Sequence, residues 1–495
     1  MLLVHPKPVQ TKRLTMQLNI QLLSDTEKAK IHERSLDILA DTGMQIHTTK
    51  GRKILESVGA EVDHHTHIVK FPQALIEQSL KSAPKQFKLG GRRPGWNFQM
   101  NQGNCTMCLD GEGVSTIDRN TGKIRPSSTQ DLLDVTRMGD AIDELGIYWC
   151  SVTPHDRGET LADYLYYQIN VFRNFTKHVQ DPFKSTLQTP WILEILQVIF
   201  GDKETIRREH PYSTLLCPQS PLIIQEEYTD AILDLKGWNI PVAVMPMALM
   251  GATAPASMVS TLTLVNCEVL GSLCLLQANE PGVPFIYAPV ASLMDPRSAR
   301  YFCGGIENSV MHAAATEMSR YYQLPVISSA FGTDTFEPSI QGGLERAMSM
   351  VLPSAANPDI IIGPGLFGGN MILSFDQIIL DAEIFRMSRQ LARGINTTED
   401  NWLEQVISEV GSGGNYLTHP STAKNVRSGE WHIPKIGVHC DYEVWKASKK
   451  RSLIEEARSK VDEILEKHQP IPFEDYMEKE LANIVKSGME IEETI

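Results

Sequence analysis

From about residue 145 onward the chain repeats one pattern: a short apolar, β-branched run, a few loop residues, then a helical stretch. The apolar runs end near Val152, Val179, Leu216, Val244, Tyr287, Ser329 and Ile362, at intervals of about 30–40 residues, a spacing that suits alternating strands and helices. Seven such units predict an α/β fold, a (β/α)8 TIM barrel, which typically occupies about 250 residues. The eighth strand is open between the 105–110 segment and a stretch beyond residue 395. A doubly wound open sheet competes, but no G-x-G-x-x-G opens a helix after the first strand.

The flanks read differently. Residues 1–140 form an N-terminal α+β extension, residues 141–395 the barrel, and residues 396–495 a mostly helical C-terminal extension. Ser24-Asp25-Thr26-Glu27 is a capping box that opens a helix running to Gly43. A second helix carries Ile54 and Leu55, a third starts after Phe71-Pro72, and Ser128-Thr129-Gln130-Asp131 caps a fourth. Residues 105–118 alternate like a hairpin that turns at Asp110-Gly111-Glu112-Gly113. Near the C-terminus Ile454, Ala457, Val461, Ile464 and Leu465 recur at helical spacing, so an amphipathic helix is expected to pack on the barrel.

A formal charge of −14 with no basic stripe argues against nucleic acid. No apolar run reaches the roughly 20 residues of a membrane span, and the N-terminus lacks a secretory signal, so a cytoplasmic protein is expected. Eight cysteines in so long a chain do not make a disulfide scaffold. Cys105-Thr106-Met107-Cys108 has no second pair nearby, and His64, His65 and His67 sit in a turn, so neither is read as a metal centre.

In a barrel the chemistry belongs to the loops after the strands. Those loops carry His155-Asp156, Cys217-Pro218-Gln219-Ser220, Met245-Pro246-Met247, Tyr287-Ala288-Pro289, Phe331 through Glu337, and Gly363-Pro364-Gly365, with no lysine among them. Asp334 and Glu337 first suggest a carboxylate pair for proton transfer. Aromatic rings beside carboxylates also suit a cation without N–H donors, held by contacts of roughly 0.5–2 kcal/mol each. On spacing alone Tyr287 and Phe331 read first as ordinary barrel core.

Several segments in one order resemble the trimethylamine methyltransferase superfamily. They include Ile31 through Leu36 with Thr42-Gly43, and Asp118 through Ser127 with Asp131. Cys217-Pro218-Gln219-Ser220-Pro221-Leu222 is similar to its C-P-x-S-P-L. Gly251 through Pro255 with Asn266 through Leu270 is similar to its central helix. Asp334, Gln341, Gly342 and Glu345 resemble its acidic strand-loop-helix. His419-Pro420, Pro434-Lys435 and Tyr442 through Trp445 resemble its tail. Two segments depart from the usual pattern: Ile360 through Gly363, where Ile-His is common, and the bulky Thr335-Phe336-Glu337-Pro338.

The resemblance implies a barrel that passes a methyl group from an amine to Co(I) of a corrinoid (cobalamin) carried by a cognate corrinoid protein, with no tightly bound cofactor of its own. The chain has only the twenty standard residues. It is therefore similar to the non-pyrrolysine branch, whose substrates are quaternary amines such as glycine betaine, proline betaine and carnitine. On that reading Phe331 and Tyr287 contact the trimethylammonium group and Asp334 and Glu337 balance its charge. Gln341 and the helix start at Pro338 hold a carboxylate, and His155 and Ser220 line the loops. A homo-oligomer is expected. The alternatives are a corrinoid-independent lyase or isomerase using Asp334 and Glu337 as acid and base, a betaine-binding protein, and a zinc methyltransferase built on His155, Cys217 or Cys303.

Overall fold

Eight parallel strands form the centre of a computed structural model that describes residues 20–158, 160–447 and 452–492. They are β1 (Thr106–Cys108), β2 (Leu145–Tyr148), β3 (His178–Gln180), β4 (Tyr212–Leu216), β5 (Val242–Val244), β6 (Phe285–Tyr287), β7 (Ile327–Ser329) and β8 (Ile360–Ile362). β8 returns to β1 with Ile360 opposite Thr106. Between β6 and β7 the ring closes through the Tyr287–Val326 bridge, where the Tyr287 N–H donates to the Pro325 carbonyl at 2.9 Å. Each strand is followed by an outer helix: α1 (Thr129–Ala141), α2 (Leu161–Asn174), α3 (Thr189–Phe200), α4 (Glu226–Leu233), α5 (Met258–Asn279), α6 (Ile306–Tyr321), α7 (Ile340–Ala356) and α8 (Phe375–Arg393). The expected barrel is therefore present.

The missing strand is the 105–110 segment, placed first rather than last. The barrel thus begins at Thr106, inside the stretch assigned above to the N-terminal extension. The expected hairpin over 105–118 does not form. Thr106–Cys108 pairs with the barrel, while Ser115–Ile117 pairs antiparallel with Ile124–Pro126 across the Asp118 turn. One alternating run had concealed two strands of different sheets. The second strand ends at Tyr148, short of the expected Val152; the apolar run reads longer than the strand because Trp149 and Val152 remain buried beyond it.

Strand pleating separates two cores. Inward residues Cys108, Ile147, Leu215, Ala243, Ile286, Ile327 and Ile360 fill the lumen, and outward residues pack under the helices. A hairpin of Lys88–Gly90 and Asn97–Gln99 closes the lumen at the strands' N-terminal end. Leu89 and Met100 enter the lumen core there, and the Gly90 N–H bonds the His210 carbonyl at 3.0 Å. The strand-end loops converge over the opposite end, the mouth of the barrel.

The capped helices form as read, with reciprocal capping boxes at Ser24–Glu27 and Ser128–Asp131. The amphipathic tail helix, Leu453–Lys467, buries Ala457 and Val461 against α8 and α1. A further helix, Asp475–Glu492, lies on α2 and α3. Among the described residues one helix, α5, is long and apolar enough to cross a membrane, and 89% of its most apolar window is buried inside the protein. It is the central helix of the outer core.

Candidate active site

The β7 loop that stood out in the sequence is held rigidly. Asp334 accepts the backbone N–H groups of Cys303 (3.0 Å) and Gly304 (2.8 Å), which lead into α6. Glu345 on α7 accepts from the Thr333 hydroxyl (2.6 Å), the Asp334 N–H (3.2 Å) and the Gln341 amide (2.7 Å). A Cβ at Gly304 would fall 2.6 Å from the Glu345 carboxyl carbon, so this stitch works only with glycine there. Behind it Arg346, fully buried, pairs with Asp381 at 2.7 Å and lies 4.6 Å over the Phe367 ring. Asp381 also accepts the Gly365 N–H at 2.7 Å, fastening the β8 loop to α7 and α8.

These contacts revise the site expected from sequence. Asp334 and Glu337, first read as a proton-transfer pair, sit in different settings. Asp334 is engaged by two backbone donors, while Glu337 is exposed on the outer turn. Gln341 is exposed and turned to Glu345. Phe331, at φ +62° and fully buried, packs in the outer core. Tyr287 likewise points away from the lumen, because its neighbours Ile286 and Ala288 point in. Its hydroxyl donates to Asn266 (3.0 Å), whose amide donates to Tyr322 and Ser35. Ser220 donates to Glu268 of α5 at 2.9 Å, outside the lumen. His155 lies exposed on the rim, its Nε2 3.1 Å from the Val114 carbonyl.

A different set of groups faces the open end. Cys108 of β1 is opposite Ile147 of β2, so two residues further on Asp110 and Trp149 emerge side by side on the lumen face. Trp149 belongs to the same buried cluster as Met245 and Ile362, and its indole N–H has no hydrogen-bond partner among the described residues. Asp110 is buried, accepts only the Gly111 N–H (2.9 Å) among the described residues, and has its pKa pushed up to about 7 by desolvation. Its charge reaches Tyr301 on the far side of the mouth. Glu112, half-buried, acts electrostatically on Cys150, Asp181 and Cys217, at the ends of β2, β3 and β4. Both carboxylates of the β1 loop therefore stand over the lumen. Gly111 permits this approach: a Cβ there would lie 1.7 Å from the Cys150 carbonyl oxygen.

Beside the mouth, Asp181 is buried and pushed up to about 7 by desolvation, although the Gln168 amide donates to it. Among the described residues no cluster of three or more His, Cys, Asp or Glu side chains could hold a metal ion. The usable signal for Asp110 was an acid two residues past a candidate strand. Sequence reasoning assigned it to a hairpin turn instead.

The arrangement, a plugged lumen with an aromatic ring, thioethers and two acids at its open end, can hold a compact cation. Residues 5–490 match the trimethylamine methyltransferase (MTTB) family. The chain is 28% identical over 463 residues to a trimethylamine methyltransferase MttB of Desulfitobacterium hafniense, covering 94% of this chain and 93% of that one. It is 26% identical over 483 residues to a glycine betaine methyltransferase of the same species, covering 95% and 98%. Among solved structures, the monomethylamine methyltransferase MtmB of Methanosarcina barkeri shares the fold, with TM-score 0.50 and 14% identity over 89% of this chain and 94% of that one. On the full-length family match, the chain is a methyltransferase of the trimethylamine methyltransferase family.

Proposed function

We propose that this enzyme moves a methyl group from a quaternary amine of the betaine type to the Co(I) corrinoid of a cognate partner protein. The observation that carries this reading is the pairing of Trp149 with Asp110 at the inner end of the mouth, with Glu112 above them. A quaternary nitrogen offers no N–H to a hydrogen-bond acceptor, so it is selected by ring faces and by charge. A desolvated indole contributes about 2 kcal/mol or more to such a cation. A carboxylate at about 4 Å adds a Coulomb term of about 4 kcal/mol at an effective dielectric constant near 20.

When bound, the corrinoid supplies the nucleophile that takes the methyl group. The rim fits a broad planar ligand presented by a protein: Met247, Tyr301, Phe336 and Met371 are all exposed around the open end. The chain's own residues position the substrate and exclude water. The departing tertiary amine is neutral and needs no proton, which suits a mouth whose acids can act as fixed charges. The lyase or isomerase reading required Asp334 and Glu337 to act together, and the two backbone donors on Asp334 and the exposure of Glu337 give it no support.

The test is anaerobic incubation with a Co(I) corrinoid protein and a panel of betaines and simple tetraalkylammonium ions, followed by the corrinoid spectrum. Methylation of cobalt dependent on one quaternary amine is expected. Turnover of substrate in the absence of corrinoid, or no methylation across the panel, would overturn the proposal.

A further inference from the structure

The lumen wall beside Trp149 carries a row of polar side chains whose direction is fixed from one end. His178 of β3 is opposite Ile147, so His178 and, two residues on, Gln180 face the lumen. Gln180 pairs with Ser213 of β4, and all three side chains are fully buried. Nδ1 of His178 lies 3.0 Å from the Gly90 carbonyl of the plugging hairpin, and its Nε2 lies 2.7 Å from the Ser213 hydroxyl. The Gln180 amide nitrogen lies 3.0 Å from the same hydroxyl.

A backbone carbonyl only accepts, so Nδ1 carries the ring hydrogen. Burial lowers the His178 pKa to about 3, so the ring is neutral and its Nε2 is an acceptor. Ser213 then gives its hydrogen to Nε2 and accepts from Gln180. The amide is thereby turned with its NH2 group to Ser213. Its Oε1 is left buried, with no hydrogen-bond partner among the described residues. The reverse orientation would need hydrogen on both ring nitrogens, a buried imidazolium.

A buried acceptor without a donor is uncommon and calls for an explanation. Its place supplies one. Val179 is opposite Tyr148, so Gln180 is the β3 neighbour of Trp149, as Asp110 is its β1 neighbour. Trp149 therefore stands between two buried side chains that carry acceptor oxygens.

We infer that Gln180 is a specificity-determining residue, whose carbonyl oxygen meets the N-methyl groups of the bound ammonium from the side opposite Asp110. The inference rests on the quaternary head group proposed above. The C–H bonds of N-methyl groups are polarised by the positive charge and satisfy a carbonyl oxygen without any N–H. A tert-butyl head of the same size lacks that polarisation and would leave the oxygen desolvated and unpaired. Gln180 thus discriminates by charge rather than by size. Ser213 and His178 are positioning residues that keep the oxygen, and not the NH2 group, toward the ligand.

The test is calorimetric binding to the full chain without corrinoid. Glycine betaine and choline are each compared with the neutral-headed isostere in which carbon replaces the quaternary nitrogen. The wild type is expected to prefer the cationic head in both pairs. Gln180→Met should narrow that preference about two- to fivefold, a change of ratio that a purely structural role would not produce. Gln180→Glu, which keeps an oxygen at this place, should retain the preference. If the variants misfold, nitrogen NMR of the unaltered, histidine-labelled protein decides: His178 should be the neutral tautomer with hydrogen on Nδ1. Hydrogen on Nε2 would turn the amide NH2 group to the lumen and overturn the inference. If the wild type binds neither cation, the proposed head group and this inference fall together. If it binds them and Gln180→Met keeps the full preference, this inference alone falls.

Discussion

Asp334 receives the Gly304 N–H at 2.8 Å, a bond across 30 residues that ties the β7 loop to the start of α6. With the Cys303 N–H it makes Asp334 a clamp rather than a proton carrier. Asp334→Ala leaves two backbone donors without their acceptor, at a cost of about 1–3 kcal/mol where they stay buried. Lower thermal stability and a reduced kcat are expected, with the shape of the pH–rate profile unchanged. Glu337→Gln, at an exposed position, should match the wild type in both assays. A lost limb of the profile in either variant would return the acid–base role to this loop.

Arg346 and Asp381 form an ion pair with both side chains fully buried. Burial weakens the charged form of each, lowering the Arg346 pKa and raising that of Asp381. The Leu366 carbonyl, the Gly365 N–H and the Gln377 amide support the pair. Removing one partner strands the other, which typically costs about 3–5 kcal/mol. Arg346→Met should therefore destabilise the protein by that amount in urea unfolding, while Arg346→Met/Asp381→Leu should recover most of the loss.

Strand and helix positions were legible because β-branched runs and helix caps are local signals. β1 was legible only as one of two candidates for the eighth strand, because three residues of alternation ran on across Asp110-Gly111-Glu112-Gly113 into a strand of another sheet. The site was harder to read for a different reason. Proximity of an aromatic residue to a strand end does not say which way it points; pleat parity does. Tyr287 lies between inward Ile286 and Ala288, so it faces the helices. Trp149 has the inward parity, but its apolar run ran on to Val152 and obscured where the strand ended. The Asp334 contacts join loops that only the closed barrel brings together.

Asp110, Asp181 and Glu268 are each pushed up to about 7 by burial. A carboxyl whose folded pKa exceeds its unfolded value stabilises the fold fully below the unfolded pKa and loses that contribution as pH rises through the folded value. The contribution of these three groups should therefore decline from about pH 4 to about pH 7 and then level, each losing up to about 1.4 kcal/mol for every pH step of one across that window, while buried His178 and His312, lowered to about 3 and about 4, act in the opposite sense. Asp181→Asn removes one of these ionisations. Its melting temperature relative to the wild type's should therefore rise steadily over that range, with KM for the amine unchanged.

Asp110 should behave differently, because a bound cation favours its ionised form and draws its pKa below the free value of about 7. Amine affinity should then rise with pH through neutrality, by up to about tenfold per pH step of one on the acidic side, the limit for one proton released. Asp110→Asn should raise KM and flatten that dependence, and Trp149→Ala should raise KM without flattening it, since the ring contributes no titration. Tyr287→Phe separates the two cores: it strips the donor from Asn266 and lowers stability, yet leaves KM where it was. Measured together as KM against pH, these three variants assign the cation to the lumen face. If Tyr287→Phe raised KM and Trp149→Ala did not, the substrate would lie outside the barrel mouth.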